Sequence, residues 1–433
     1  MKKILTLLLM LLLSFPLILG LTSCGRIGAR YASHGGEYAF CGREDDSYLT
    51  TVVDIPETYD GEPVTEISAT AFRSYKNLRT VKIPESVRVI DEYAFYDCNK
   101  LTNIIVDEDN PNYESIDGNL YKKLERGRVL IQYAIGKKDT EFVIPVGVTH
   151  ITSRLAFGHD KYGNSENLKS IVISNSVIDI DTSTFENCPN LTNITVDENN
   201  PCYKSIDGNL YSKDGKTLLL YAKGKEAAEF VIPDGVTSIG KRAFFDCENL
   251  TSVVIGDSVT TIGDEAFYYC ESLTSVTVDE NNETYKSVDG NLYSKDGKTL
   301  IQYAIGKADT EFIIPDDVTH IGYRAFSDCS SLTSINIPDS VTHIGKFAFY
   351  SCDSLTSVTI GNGVTHIGYM AFYECYSLTS VFYNGTADEW ESIEISGYNG
   401  ELESAALHLY SETKPAKDGN YWHYDSDGNV TVW

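Results

Sequence analysis

The sequence predicts an α/β repeat solenoid of about nine 23-residue coils, each a short parallel strand plus a short helix, with three β-hairpin insertions. Three observations carry this expectation. The segment at 341–363, VTHIGKFAFYSCDSLTSVTIGNG, begins again at Val364, and relatives of it recur from about residue 64 to residue 383. Inside each copy the apolar spacing changes from helical to alternating. An Ala-Phe pair marks the copies at Ala71, Ala94, Ala156, Ala243, Ala266, Ala325, Ala348 and Ala371, with Thr184-Phe185 as a degenerate ninth.

Ala348, Phe349, Cys352 and Leu355 share one face at helical spacing, which predicts a helix of one or two turns. From Ser357 to Ile360 the period falls to two, which predicts a strand with Val358 and Ile360 inward and Ser357 and Thr359 outward. One such unit has too few apolar side chains to offset the entropy of fixing its backbone, so the copies must stack. After the Ile of V-x-x-I comes Gly240, Gly263, Gly322, Gly345 or Gly368, or else Ser68, Asp91, Thr152 or Asp181. These residue types favour a helix N-cap, so the helix is expected to start there. Pro84, Pro145, Pro233, Pro315 and Pro338 follow strands and open turns.

In chain order, residues 1–23 read as a targeting segment, with Lys2 and Lys3 ahead of an apolar core. Leu21-Thr22-Ser23-Cys24 resembles the lipobox of bacterial lipoproteins. That resemblance implies cleavage before Cys24 and its acylation; ordinary secretion with a free Cys24 is the alternative. Residues 24–36 read as a flexible tether, and 37–77 as an N-terminal cap with the first coil, where Tyr75 replaces the repeat Cys. The solenoid spans 78–385. Inserts near 112–140, 202–228 and 284–310 share the text S-[IV]-D-G-N-L-Y, and Asp214-Gly215 and Asp296-Gly297 predict hairpin turns. Residues 159–167 read as a polar loop. Residues 386–433 read as a C-terminal cap, with a capping box at Thr386-Ala387-Asp388-Glu389 and an aromatic hairpin turning at Asp427-Gly428.

The pattern L-x-x-V-x-I, V-x-x-I, A-F-x-x-C resembles the BspA-like class of leucine-rich repeat over roughly residues 50 to 385. The resemblance implies a leucine-rich-repeat solenoid on a bacterial surface protein; some members of the class act as adhesins.

A net charge of −27 argues against nucleic acid as a partner. Cys98, Cys188, Cys247, Cys270, Cys329, Cys352 and Cys375 occupy one repeat position, which favours buried thiols over disulfides or metal ligands. Cys41 and Cys202 have no repeat explanation. His320, His343 and His366 form a column about 4.8 Å apart if the strands are in register. Ser238 and Thr261 hold the same position, and no carboxylate or Cys accompanies the column in the sequence. Tolerance of a surface site therefore competes with a transition-metal site, and no metal or other cofactor is expected. The loops at 107–110, 197–200 and 279–282 lack EF-hand spacing and read as solvated turns. No G-x-S-x-G, H-E-x-x-H or phosphate loop is present, so the chain is not expected to be an enzyme.

Surface remains. Outward positions such as Ser252, Thr277, Asn336 and Thr359 predict a broad, hydroxyl-rich sheet face. Tyrosines including Tyr350 and Tyr373 gather near the helices, where exposed Tyr suits protein or sugar contact. The expected function is a lipid-anchored cell-surface scaffold that binds an extracellular protein without catalysis. A glycan-binding or structural envelope component is the alternative, and an enzyme with an unrecognised site a third.

Overall fold

The computed structural model describes residues 29–43, 49–69, 71–73, 75–159, 163–416 and 419–433. The targeting segment and Cys24 lie outside the described residues. The chain divides into two compact units, one comprising residues 1–168 and 174–189, the other 169–173 and 190–433. Within each, coils stack as the repeat requires.

In the first unit, Val52–Asp54, Thr80–Ile83 and Asn103–Val106 form one parallel sheet. Glu37–Arg43, Glu62–Ile67 and Val89–Ile90 form a second, also parallel. The solenoid starts earlier than expected. Ala29–His34 is a strand antiparallel to Glu37–Arg43, so the described part of the predicted tether is ordered sheet. Phe40 from this cap packs tilted at 5.5 Å on Phe72, which stacks at 5.2 Å on Phe95. Within the expected polar loop, Gly158–His159 pairs with Gly163–Asn164 as a minimal hairpin.

The second unit repeats the plan at greater length. One seven-stranded sheet carries Ser334–Ile337, Ser357–Ile360, Ser380–Tyr383 and Ala406–Tyr410 in parallel register. Another carries His320–Ile321, His343–Ile344, His366–Ile367 and Glu394–Ile395. Between them runs a core of Val, Ile, Leu, Ala-Phe and Cys side chains, among them Leu355 and Val358. Threonines lace the coils together: the hydroxyls of Thr342 and Thr365 donate to the carbonyls of Thr319 and Thr342, one coil back, each at 3.1 Å.

The short helices are mostly not formed. Around Ala348–Leu355, some N–H groups close three-residue turns, as in Ala348 to Gly345 and Cys352 to Phe349. Interleaved with them, Phe347, Phe349 and Ser351 donate to Tyr369, Ala371 and Tyr373 of the next coil. The chain manages this by giving Phe347 and Ser351 positive φ, 58° and 53°, which no helix tolerates. The same two positions repeat at Arg324 and Asp328 and at Met370 and Glu374. Among the described residues only Thr182–Asn187 forms a 3-10 helix, capped by Asp181, whose side chain accepts from the Ser183 N–H.

The repeat glycines accordingly serve close approach and not capping. A Cβ on Gly345 would sit 2.7 Å from the carbonyl oxygens of Ile321 and Gly322.

Each insert is more than a hairpin. Its Asp-Gly turn, with φ of 49° and 75° at Asp289 and Gly290, leads into a three-stranded meander that ends parallel to the next V-x-x-I strand. It then contributes a tyrosine to the ring file. Tyr221 packs at 5.5 Å on Phe244, and Tyr303 at 5.0 Å on Phe326. The N–H groups of Tyr303 and Phe326 make equivalent bonds, to Ala325 and Ala348. Inserts are therefore coils in their own right, and a count of nine is too low. The C-terminal capping box forms as expected, with Thr386 N–H donating to Glu389 Oε2 at 2.8 Å.

Candidate binding surface

The pleat of the second unit's long sheet places Asn336, Thr359, Phe382 and His408 in one outward row. The sequence led us to expect an open face. Instead the C-terminal hairpin, Tyr421–Tyr424 with Val430–Val432, closes over it. It leaves the sheet edge through the pairs Leu409–Tyr421 and Tyr410–Trp422. Trp422 is fully buried, in edge contact with Phe382, and its Nε1–H donates to the Tyr383 carbonyl at 3.0 Å. Tyr424 reaches back to line the same pocket as Asn336. Thr359 is left only 6% exposed.

Beneath the hairpin lies a pocket of about 480 Å³ whose polar lining includes Asp316, Asn336, Asp339, Thr359, Asn384 and Tyr424. Asp339 is fixed in place: Asn384 Nδ2 donates to both its oxygens at 2.8 and 3.0 Å, and the Asn362 N–H donates at 3.0 Å. Burial, and then the Asp339 charge, push the Tyr424 phenol up. Of these residues the sequence singled out Asn336 and Thr359. Tyr424, Asp339 and Asn384 were missed, and the aromatic run at 421–424 was the only signal for them.

Ser252 and Thr277 do not join this site. They lie in a separate three-stranded sheet, Glu229–Val231, Ser252–Ile255 and Ser275–Val278. The third insert docks on its last strand, where the Gly290 carbonyl accepts from the Val276 N–H at 2.8 Å. The predicted broad face is thus two patches.

Tyr350 and Tyr373 stack at 5.8 Å on a different surface, the corner where the turns face out. An aromatic stripe runs there through Tyr268, Phe347, Tyr350, Tyr373 and Tyr398. Arg324 holds it together, its guanidinium 4.5 Å from the ring centres of both Tyr268 and Phe347. Glu265, 7% exposed in its side chain, accepts from Arg324 Nε at 3.0 Å and from Tyr323 Oη at 2.8 Å. Burial works against its charge, but hydrogen bonds from Arg242 and Tyr323 keep the carboxyl below the usual range. Tyr398, Tyr323 and Tyr369 stay exposed at 61%, 41% and 37%. Arg324 and Glu265 carry no repeat signature, so the sequence did not single them out.

The histidine column forms, with ring centres 4.9 and 4.5 Å apart. Each Nδ1 lies 2.8–2.9 Å from the hydroxyl of the preceding Thr. The hydroxyls of Thr319 and Thr342 also reach carbonyls one coil back, at 3.2 and 3.1 Å. A carboxylate does accompany the column, contrary to expectation: Glu394 Oε2 is 3.1 Å from His366 Nε2. Among the described residues no group of three or more His, Cys, Asp or Glu side chains is placed to hold a metal ion.

The nine described cysteines are free, those at the repeat position being buried. Cys270, Cys352 and Cys375 donate to the carbonyls of Phe244, Phe326 and Phe349 at 2.9, 3.1 and 3.0 Å. Cys41 lies 3.4 Å from Ser68 Oγ, and the Cys202 N–H donates to Asn200 Oδ1. In the acidic loops, Asn110 and Asn282 are fully buried and donate to carbonyls of the preceding coil. The loops thereby clip neighbouring coils together.

Stacked coils with two parallel sheets, an internal ring file and side chains displayed at a fixed interval define a repeat protein of the leucine-rich class. The chain belongs to the BspA type leucine rich repeat family, whose profile matches residues 36–127, 138–216, 220–295 and 306–403. Similar solved structures include a leucine-rich cell surface protein from Faecalibacterium prausnitzii, 22% identical, covering 86% of this chain and 97% of its own with a TM-score of 0.40. A leucine-rich repeat protein from Eubacterium ventriosum is 20% identical, covering 93% and 97% with a TM-score of 0.42. The pneumococcal vaccine antigen PcpA is 18% identical, covering 90% and 94% with a TM-score of 0.41. No curated protein matches. Among the described residues no helix is long and apolar enough to cross a membrane.

Proposed function

We propose that the chain is a lipid-anchored protein of the bacterial cell surface that binds an extracellular protein through its solenoid, without catalysis. The observation that carries the binding role is the aromatic stripe of the second unit. Partly exposed tyrosines stand there on a stack of turns held by the Arg324–Glu265 pair. Rigid aromatic side chains give up little entropy on binding and offer both apolar area and a hydroxyl. Anchoring rests on Leu21-Thr22-Ser23-Cys24. Surface location also draws support from the Faecalibacterium relative, which is described as a cell surface protein. A glycan-binding role has separate support in the pocket under the C-terminal hairpin.

Two measurements test the proposal. Cys24→Ala should move the protein from the membrane fraction to the medium; unchanged fractionation would remove the lipid anchor. On a panel of immobilised extracellular matrix proteins, Tyr373→Ser with Tyr398→Ser should weaken capture by at least about tenfold, the loss of one well-placed aromatic contact or more. Full capture by that double variant would move the binding surface elsewhere.

A further inference from the structure

We infer that the pocket beneath the C-terminal hairpin is a saccharide subsite that takes a terminal unit of a neutral glycan. This rests on the glycan-binding reading and gives it a place and a ligand class.

Size is the first argument. About 480 Å³ falls inside the ~300–1,000 Å³ typical of small-ligand sites. Chemistry is the second. Asn336, Thr359 and Tyr424 each offer a donor and an acceptor, and Asn384, its amide N–H groups turned to Asp339, offers an acceptor; these suit sugar hydroxyls, which both donate and accept. Asp316 and Asp339 add acceptors, and no Lys, Arg or His lines the pocket. A sulfated, phosphorylated or sialylated end group would meet two carboxylates and no counter-charge, so the ligand is neutral.

A cationic ligand fits less well. Asp339 already accepts three N–H contacts, from Asn384 to both oxygens and from Asn362. Its charge is thus largely satisfied within the protein, leaving Asp316 as the only carboxylate free of such contacts among the lining groups. A divalent cation or an inserted lysine needs several converging, unpaired oxygens.

Rigidity is the third argument. The Tyr424 ring packs edge-on against buried Trp422 at 4.9 Å. Thr359 sits on a central strand and is almost wholly buried. The groups that would contact sugar are held before it arrives, so little ordering entropy opposes binding. The exposed part of the Tyr424 ring supplies an apolar wall for the C–H face of a pyranose.

The test uses the full chain and saturation-transfer NMR with glucose, galactose, mannose, N-acetylglucosamine and their β-linked disaccharides. At least one neutral sugar should bind saturably. Thr359→Val and Tyr424→Phe, which keep shape and remove a hydroxyl, should each weaken it by about tenfold. Melting curves of both variants should overlay the parent curve. Sugar binding that survives both substitutions would overturn the subsite and leave glycan binding standing elsewhere. No binding by any neutral sugar would overturn both. Displacement of bound sugar by calcium or by a lysine peptide at low concentration would overturn the subsite in favour of a cation site.

Discussion

Asp328 stands at one of the corner positions with positive φ, 62°, and most of its carboxyl is buried beside Tyr268 and Arg324. Burial pushes that carboxyl up to about 6, against the hydrogen bond from Ser327 and the Arg324 charge. The folded protein therefore holds this proton more tightly than the unfolded chain. The group's contribution is full below its ordinary value of 3.8 and is lost as pH rises through about 6. His343 acts in the opposite sense. Burial, then the neighbouring His366 and His320 charges, lowers its imidazole from 6.5, so its contribution is present above 6.5 and lost as pH falls. We expect Asp328→Asn to raise Tm at about pH 7.5, by on the order of 2 °C, and to change it little at about pH 4. Asn keeps the backbone geometry, since it tolerates positive φ. Scanning calorimetry at both pH values decides it, and an equal shift at both would mean that buried charge is not the cause. The corner positions explain a limit of the sequence reading. They hold Arg242, Phe347 and Met370 as well as Asp and Glu, without the Gly that would announce a left-handed residue.

At the scale of the element, the repeat strands were legible and the repeat helices were not. Alternation in Ser357–Ile360 has one structural solution, and the strand is found where it was expected. The spacing Ala348, Phe349, Cys352, Leu355 fits a helix, but three-residue steps fit consecutive turns equally well. Bonds to the next coil decide between them, and no single unit encodes those. The inserts show the same division. Asp-Gly correctly placed a reversal at Asp296-Gly297, whereas the Tyr-Ala pair that carries the ring file through each insert went unrecognised because it lacks the Phe. Tyr303 tests this role. It is fully buried, contacts Phe326 and Phe312, and donates to Asp309 at 2.9 Å. Tyr303→Ala should cost about 3–5 kcal/mol in denaturant unfolding of the second unit, a cavity in a stacked file. Tyr303→Phe should cost about 1 kcal/mol, the hydrogen bond alone. Equal losses would make the hydroxyl, and not the ring, the element that joins insert to coil.

For the molecule as a whole, the periodic interior was readable because every copy repeats it. The proposed binding surface was not, because it is made where the repeat stops. Asn336 and Thr359 were visible as outward positions, yet the pocket over them exists only because the hairpin at 421–432 folds back across the sheet. Likewise the stripe around Tyr350 and Tyr373 depends on Arg324, a single residue at a variable position. Damage to the interior should spread differently from damage to a globular core. Leu355 is 1% exposed, and its coil pairs with one neighbour on each side, through Ser334–Ile337 and Ser380–Tyr383. Leu355→Asp buries an unpaired charge there, a loss large enough to open the coil. Each coil leans only on its neighbours, so opening should propagate through adjacent strands and fade with distance. Hydrogen exchange should therefore find the amides of 334–337 and 380–383 losing protection first, with those of 80–83 and 103–106 in the first unit still protected. Uniform loss of protection across both units would mean that the coils fold as one indivisible body, and an unaltered exchange pattern would remove Leu355 from the core.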